Sequence, residues 1–165
     1  MHRRRRRNAV IALGNPLLCD DGAALYAMGL LKTRRRVRGV DFVENHSGGM
    51  DLLDDLVERD RVLLLDAVLT LRHEAGSLVE FSFADLEETR QARLVDSHGL
   101  NLVSVLEAGR CFGLSMPREI RILGIEGRDF TSFRERPGDA VMAAMPDIVA
   151  RLERILMERE GVDVA

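Results

Sequence analysis

The chain has 165 residues, of which 46% are hydrophobic, 31% charged and 4% aromatic, with a formal net charge of −3. That length suits one domain with a full core, and the balance excludes a disordered or fibrous chain. No stretch approaches the roughly 20 uninterrupted apolar residues of a membrane span, so residues 1–165 are expected to form a single cytoplasmic domain with no membrane association.

Residues 1–7 carry the run Arg3–Arg7 and are expected to form a flexible basic tail. Arginines ahead of an apolar run suit the start of a secretory signal, but Gly14-Asn15-Pro16 interrupts that run and no small-residue cleavage site follows. No stacking motif accompanies the charge, which argues against nucleic acid as a partner. Residues 8–14 then read as a buried strand, and 22–33 as a helix with Ala24, Leu25, Met28 and Leu31 near helical spacing. "GVDFVE" (39–44) reads as a second strand. "HSGG" turns the chain into a short helix with Met50, Leu53 and Leu56 on one side.

"RVLLLDAVL" (61–69) is a continuous aliphatic run, the pattern of a strand covered on both faces. "SLVEFSF" (77–83) alternates and is expected to pair antiparallel with its predecessor across the "LRHEAG" turn, where His73 is solvated. "ADLEE" suits one helical turn. From Gly99 to Cys111, residues Leu102, Val105, Leu106 and Gly109 fall at helical spacing, with Asp96 or Ser97 as N-cap. "EIRILGIE" (119–126) is the last strand. A long helix follows from Asp139 to about Glu160, in which Pro146 predicts a kink or a late start. The expected fold is α/β: a single three-layer domain whose mostly parallel, twisted sheet of about five strands carries helices on both faces. Ligands of such sheets bind at the carboxyl ends of the strands.

Polar residues from distant parts of the chain converge on that rim. Asp20 and Asp21 leave the first strand, His46 follows the second, Asp66 interrupts the third, and His98 stands at a helix entry. A carboxylate after four aliphatic residues is costly to bury unless paired or liganded. Several carboxylates together repel one another, and a cation relieves the repulsion. With an imidazole, such a set suits nickel or zinc better than calcium or magnesium. Taken singly, Asp20 reads as a helix N-cap, Asp66 as a turn cap, His98 as a core or cap histidine, and Gly48-Gly49 as turn formers; their shared location gives them weight. A rival assignment makes Cys19 a nucleophile with His98 as its base, but the two following acids disfavour a thiolate. Cys19 and Cys111 have no metal-knuckle spacing and form no disulfide framework.

In order, "ALGNPLLCDDG", "ENHSGGMDLL", "VLLLDAV", "DSHGLNL" and "ILGIEG" make the chain resemble the hydrogenase maturation endopeptidases, which trim the C-terminus of the large subunit of nickel–iron hydrogenases. The resemblance covers nearly the whole chain and implies a phosphorylase/hydrolase-like sheet between helices. It implies a peptidase of aspartic or metal-dependent type, with Asp21, Asp66 and His98 binding nickel that the substrate carries in. Asp21 and Asp66 become the candidate catalytic residues, with the metal or one of these carboxylates activating water. Asn15, His46, Ser47, Gly48 and Gly49 become candidate substrate-binding residues. The implied partner is a hydrogenase large-subunit precursor, met by a monomer. The second motif departs from the family's D-G-G-T-x-G: Glu44-Asn45-His46 replace its first three residues and Ser47 its threonine. His46 is thus an extra candidate ligand.

Two further functions are weighed. The altered "ENHSGG" turn suits a non-proteolytic nickel- or precursor-binding chaperone or regulatory module on the same fold. A nucleotide-binding α/β protein needs a glycine-rich anion loop, against which Asp20 and Asp21 argue. A resident zinc protease lacks its H-E-x-x-H helix.

Overall fold

β1 (Asn8–Leu13) lies between β2 (Val40–Asn45) and β3 (Arg61–Val68), parallel to both, and β3 pairs in parallel with β5 (Glu119–Glu126). β4 (Leu78–Phe81) closes the sheet as an antiparallel edge, giving the order β2-β1-β3-β5-β4. A computed structural model supplies this architecture and describes residues 8–34, 36–85 and 102–159. The basic tail at 1–7, the N-cap candidates Asp96 and Ser97, and His98 lie outside the described residues.

The expected hairpin between β3 and β4 is corrected. β4 pairs with β5, in the register Leu78↔Ile125 to Phe81↔Ile122. β3 has β1 on one side and β5 on the other, so its hydrogen-bonding edges are filled and β4 takes the open edge of β5. There Arg121 donates to the Glu80 carboxylate at 2.6 and 2.8 Å, a cross-strand pair on the exposed margin.

Side-chain alternation divides the core into two layers. Val10, Ala12, Leu63, Leu65, Leu123 and Ile125 face α1 (Ala23–Lys32) and α4 (Asp139–Arg159). Ile11, Leu13, Val62, Leu64 and Ile122 face α2 (Asp51–Leu56) and α3 (Leu102–Cys111). Central strands covered on both sides require the unbroken aliphatic runs seen in the sequence. The long helix α4 buries Met145, Ile148, Val149 and Leu152 as its periodicity predicts. It neither starts late nor stops at Pro146: the helix is assigned without a break from Asp139 to Arg159. Pro146 is exposed, and at an exposed position water can replace the hydrogen bond that proline cannot donate. Among the described residues, no helix is long and apolar enough to cross a membrane.

Candidate active site

β1 ends in a sharp reversal that brings the first acids back over the sheet. Gly14 has φ +138°, and a Cβ there would lie 2.1 Å from the carbonyl oxygen of Asp21, so only glycine permits the chain to double back so closely. A 3-10 turn, Cys19–Gly22, follows and leads into α1. Cys19 opens it with φ 41°, a left-handed conformation that costs energy for a residue with a side chain. This strain sits directly beside the acids.

Asp21 is 5% exposed, and its Oδ2 accepts the backbone N–H of Asn15 at 2.9 Å. Asn15 in turn uses its side-chain Oδ1 to hold the N–H of Leu17 at 3.0 Å. Asn15 thus shapes the loop from both ends and fixes the carboxylate. Asp66 is 7% exposed near the carboxyl end of β3, where its Oδ1 accepts the N–H of Ala67 at 2.8 Å. Both carboxylates are partnered. By alternation Asp66 belongs to the face of Val62 and Leu64, whereas Asp21 sits on the turn leading to α1 in the opposite layer. Both acids are carried at the carboxyl end of the sheet, Asp21 on the turn after β1 and Asp66 on β3. Among the described residues, no group of three or more His, Cys, Asp or Glu side chains is arranged to hold a metal ion; the third expected ligand, His98, is not one of those residues.

The second motif forms a turn around Asn45, a buried residue at the end of β2. Its Oδ1 accepts the N–H of Ser47 at 3.3 Å and of Gly48 at 2.7 Å, and its Nδ2 donates to Asp55 at 2.8 Å. Gly48 and Gly49 take φ of 62° and 58°. The Ser47 hydroxyl donates to Asp51 at 2.6 Å, tying the turn to the start of α2. His46 is exposed and its Nδ1 lies 3.2 Å from the Gly14 carbonyl oxygen, which joins this turn to the reversal after β1. Asn15, His46, Ser47, Gly48 and Gly49 thus occupy neighbouring loops at the ends of β1 and β2.

Asp20 is corrected. Its carboxylate caps neither the turn that carries it nor α1. Instead Oδ2 accepts the N–H groups of Arg128 (2.8 Å) and Asp129 (3.0 Å), and Oδ1 accepts that of Gly138 (2.7 Å). Gly138 supplies the carbonyl that receives the N–H of Met142 as α4 begins. Asp20 therefore fastens the whole β5–α4 loop onto the first motif. Cys19 is buried, and its thiol is pushed above its ordinary range by that burial, then by the nearby Asp20 and Asp129. A thiol raised in this way is a poor nucleophile.

Residue reading missed a second anchor, Glu126, which is 0% exposed at the end of β5. Its Oε1 accepts the N–H groups of Thr70 (3.0 Å) and Leu71 (2.9 Å), and its Oε2 the Thr70 hydroxyl (2.6 Å). Arg128 donates from Nη1 to Glu126 and to the Gly127 carbonyl, both at 2.7 Å, and from Nη2 to the His73 carbonyl. The signal was available: "ILGIE" ends an aliphatic strand in an acid just as "LLLD" does.

The sheet and the helices on its two faces define a three-layer α/β domain, a class whose ligands bind at the carboxyl ends of the strands. Solved structures of this architecture include the hydrogenase maturating endopeptidase HybD from Escherichia coli, with TM-score 0.76 and 20% identity over 92% of this chain and 93% of that one. The [NiFe] hydrogenase maturation protease HybD from Thermococcus kodakarensis gives TM-score 0.69 and 23% identity over 90% and 99%. In sequence, the hydrogenase 2 maturation protease of Escherichia coli (strain K12) is 25% identical over 120 residues, 72% of each chain. Residues 26–155 match the family model described as HycI, hydrogenase maturation protease, and the chain belongs to that family. It is a maturation endopeptidase, and its family implies a hydrogenase large-subunit precursor as substrate.

Proposed function

We propose that the chain removes the C-terminal extension of a [NiFe]-hydrogenase large-subunit precursor that already holds nickel, using that nickel for recognition. The observation that carries this reading is the pair of buried carboxylates, Asp21 and Asp66, at the ends of two adjacent parallel strands in a chain of this family. Two buried acids at one end of the sheet suit one divalent ion there, and an imidazole from His98 would complete a nickel-compatible donor set. Nickel here is part of the substrate, presented by the precursor. Its engagement by Asp21, Asp66 and His98 would place the scissile bond beside the same carboxylates, one of which then takes a proton from the attacking water. Asn15 holds the Asp21 side chain through its backbone N–H, and His46, Ser47, Gly48 and Gly49 line the neighbouring turn against which the polypeptide is laid.

Incubation with nickel-loaded precursor should release a C-terminal peptide, read as a mass loss of the large subunit. Asp66→Asn should leave the precursor intact, as should wild-type protein given nickel-free precursor. Equal cleavage of nickel-free precursor in the presence of a chelator would refute nickel-based recognition.

A further inference from the structure

Three apolar side chains stand exposed on loops leaving successive central strands at the carboxyl rim. Leu17 follows β1 and is 40% exposed, Leu71 follows β3 at 69%, and Phe133 follows β5 at 83%. Single exposed apolar residues are ordinary on a protein surface. These differ in how their backbones are held.

The loop of Phe133 is fastened from beneath by Asp20, through the N–H groups of residues 128, 129 and 138. It is then laid along the first motif: Arg134 N–H donates to the Leu17 carbonyl at 2.9 Å, and Cys19 N–H to the Arg134 carbonyl at 2.8 Å. Leu17 and Phe133 therefore flank one short parallel bridge, four residues from Asp21. The loop of Leu71 is fastened by the fully buried Glu126, which takes the N–H of Leu71 itself. Leu71 has φ 59°, a conformation costly for a branched side chain and maintained only where surroundings enforce it. Arg128 joins the two anchors, giving its N–H to Asp20 and its guanidinium to Glu126. One buried polar network thus immobilises the backbone beneath exposed apolar side chains.

The geometry points to a preorganised docking surface, Leu17 and Phe133 with Leu71 on the loop that Arg128 ties to theirs, that seats apolar side chains of the precursor polypeptide beside the scissile bond. This inference rests on the proposed function and extends it from the nickel to the polypeptide. The occupant follows from position and charge. Leu17 leads directly into the acid-bearing turn that the substrate must reach, and the loop of Phe133 is hydrogen-bonded to that turn at Cys19. Its nearby charges are also balanced within the loop: Arg134 pairs with Asp139 at 3.2 Å, and Glu135 adjoins Arg136. That balance offers an acidic partner little net attraction and leaves apolar contact to select the substrate. Rigid exposed apolar anchors contribute strongly to affinity because little conformational freedom is lost on binding.

The test compares wild type with Leu17→Ser/Phe133→Ser and with Leu71→Ser, in release of the C-terminal peptide from nickel-loaded precursor. Thermal melting is followed alongside. The double variant should raise KM about ten-fold with kcat and melting unchanged, Leu71→Ser should raise KM by a smaller factor, and Phe133→Leu should retain most of the wild-type KM. An unchanged KM in the double variant overturns the docking surface while leaving the proposed function intact, as does a loss confined to kcat. Steep weakening by salt, shared equally by wild type and variant, overturns it in favour of an acidic partner. If wild type releases no peptide at all, the proposed function fails. Precursor affinity then decides the surface: about ten-fold weaker binding by the double variant supports it, and equal binding removes it.

Discussion

Four buried acids among the described residues share the rim, and two of them, Asp20 and Glu126, fasten loops that are remote in the chain. Asp20 and Glu126 collect N–H groups from loops 55 to 118 residues away along the chain. Asp21 and Asp66 each take a nearby N–H group, of Asn15 six residues away and of Ala67 one residue away, besides their other interactions. A bond across such long separations fastens one element to another, and its loss frees a loop. A bond at short separation chiefly orients its own carboxylate. Adjacent residues of identical type can therefore serve differently: Asp20 holds the crevice together, whereas the proposed function gives Asp21 a part in the chemistry.

The sharpest way to break this comparison is to exchange the two effects. Asp20→Ala should lower stability by about 3 kcal/mol, since three backbone donors lose their acceptor at roughly 1 kcal/mol or more each. Asp21→Asn should cost about 1 kcal/mol or less in stability and lower precursor cleavage by about 100-fold or more. Chemical denaturation and peptide-release kinetics on both variants check the pair, and a stable Asp20→Ala protein would remove the distinction. Gly14→Ala sharpens it further. The new methyl group would collide with the Asp21 carbonyl in a backbone conformation that disfavours side chains, at a cost of about 2 kcal/mol. Both stability and cleavage should fall together, because the reversal that Gly14 permits also delivers Asp21.

The smallest effect concerns an acid bonded only within its own loop region. Asp129 is held down to about 2 by the Ser132 hydrogen bonds first and the Thr131 N–H next. Its folded value lies below the ordinary 3.8, so its contribution to the folded loop is present above that ordinary value. It is lost as pH falls through about 2. A carboxyl carbon NMR titration should give that midpoint, and a midpoint near 3.8 would show the loop bonds to be absent.

The layered fold was legible because aliphatic runs and helical periodicity report burial directly. β1 reads as a buried strand, β3 as one covered on both faces, β5 as the last strand, and α4 as a helix with one apolar face. The partner of β4 was not legible from its own residues. Alternation in "SLVEFSF" says that one side is buried, but not whether β3 or β5 lies beside it; the filled edges of β3 decide that. Of the two outcomes expected at Pro146, a late start does not occur, because the helix already begins at Asp139 and runs through the proline. At the rim, Asp66 drew attention because an acid that interrupts an aliphatic run is conspicuous, and Asp21 because it belongs to the first motif. Asp20 carried the same signal, but its partners lie more than a hundred residues later, beyond the range of any local pattern. Glu126 was passed over although it lies in the motif "ILGIEG" and ends an aliphatic strand, since its partners Thr70 and Leu71 are 55 or more residues away along the chain.

The distance along the chain between Asp20 and its partners has a consequence for the newborn polypeptide. Residues 128, 129 and 138 emerge long after the first motif, and until they dock the Asp20 carboxylate has none of those three donors. Long-range closures of this kind form late in folding. The crevice is therefore completed only when most of the chain is present, and an unfinished protein has no assembled cutting edge to turn on its neighbours.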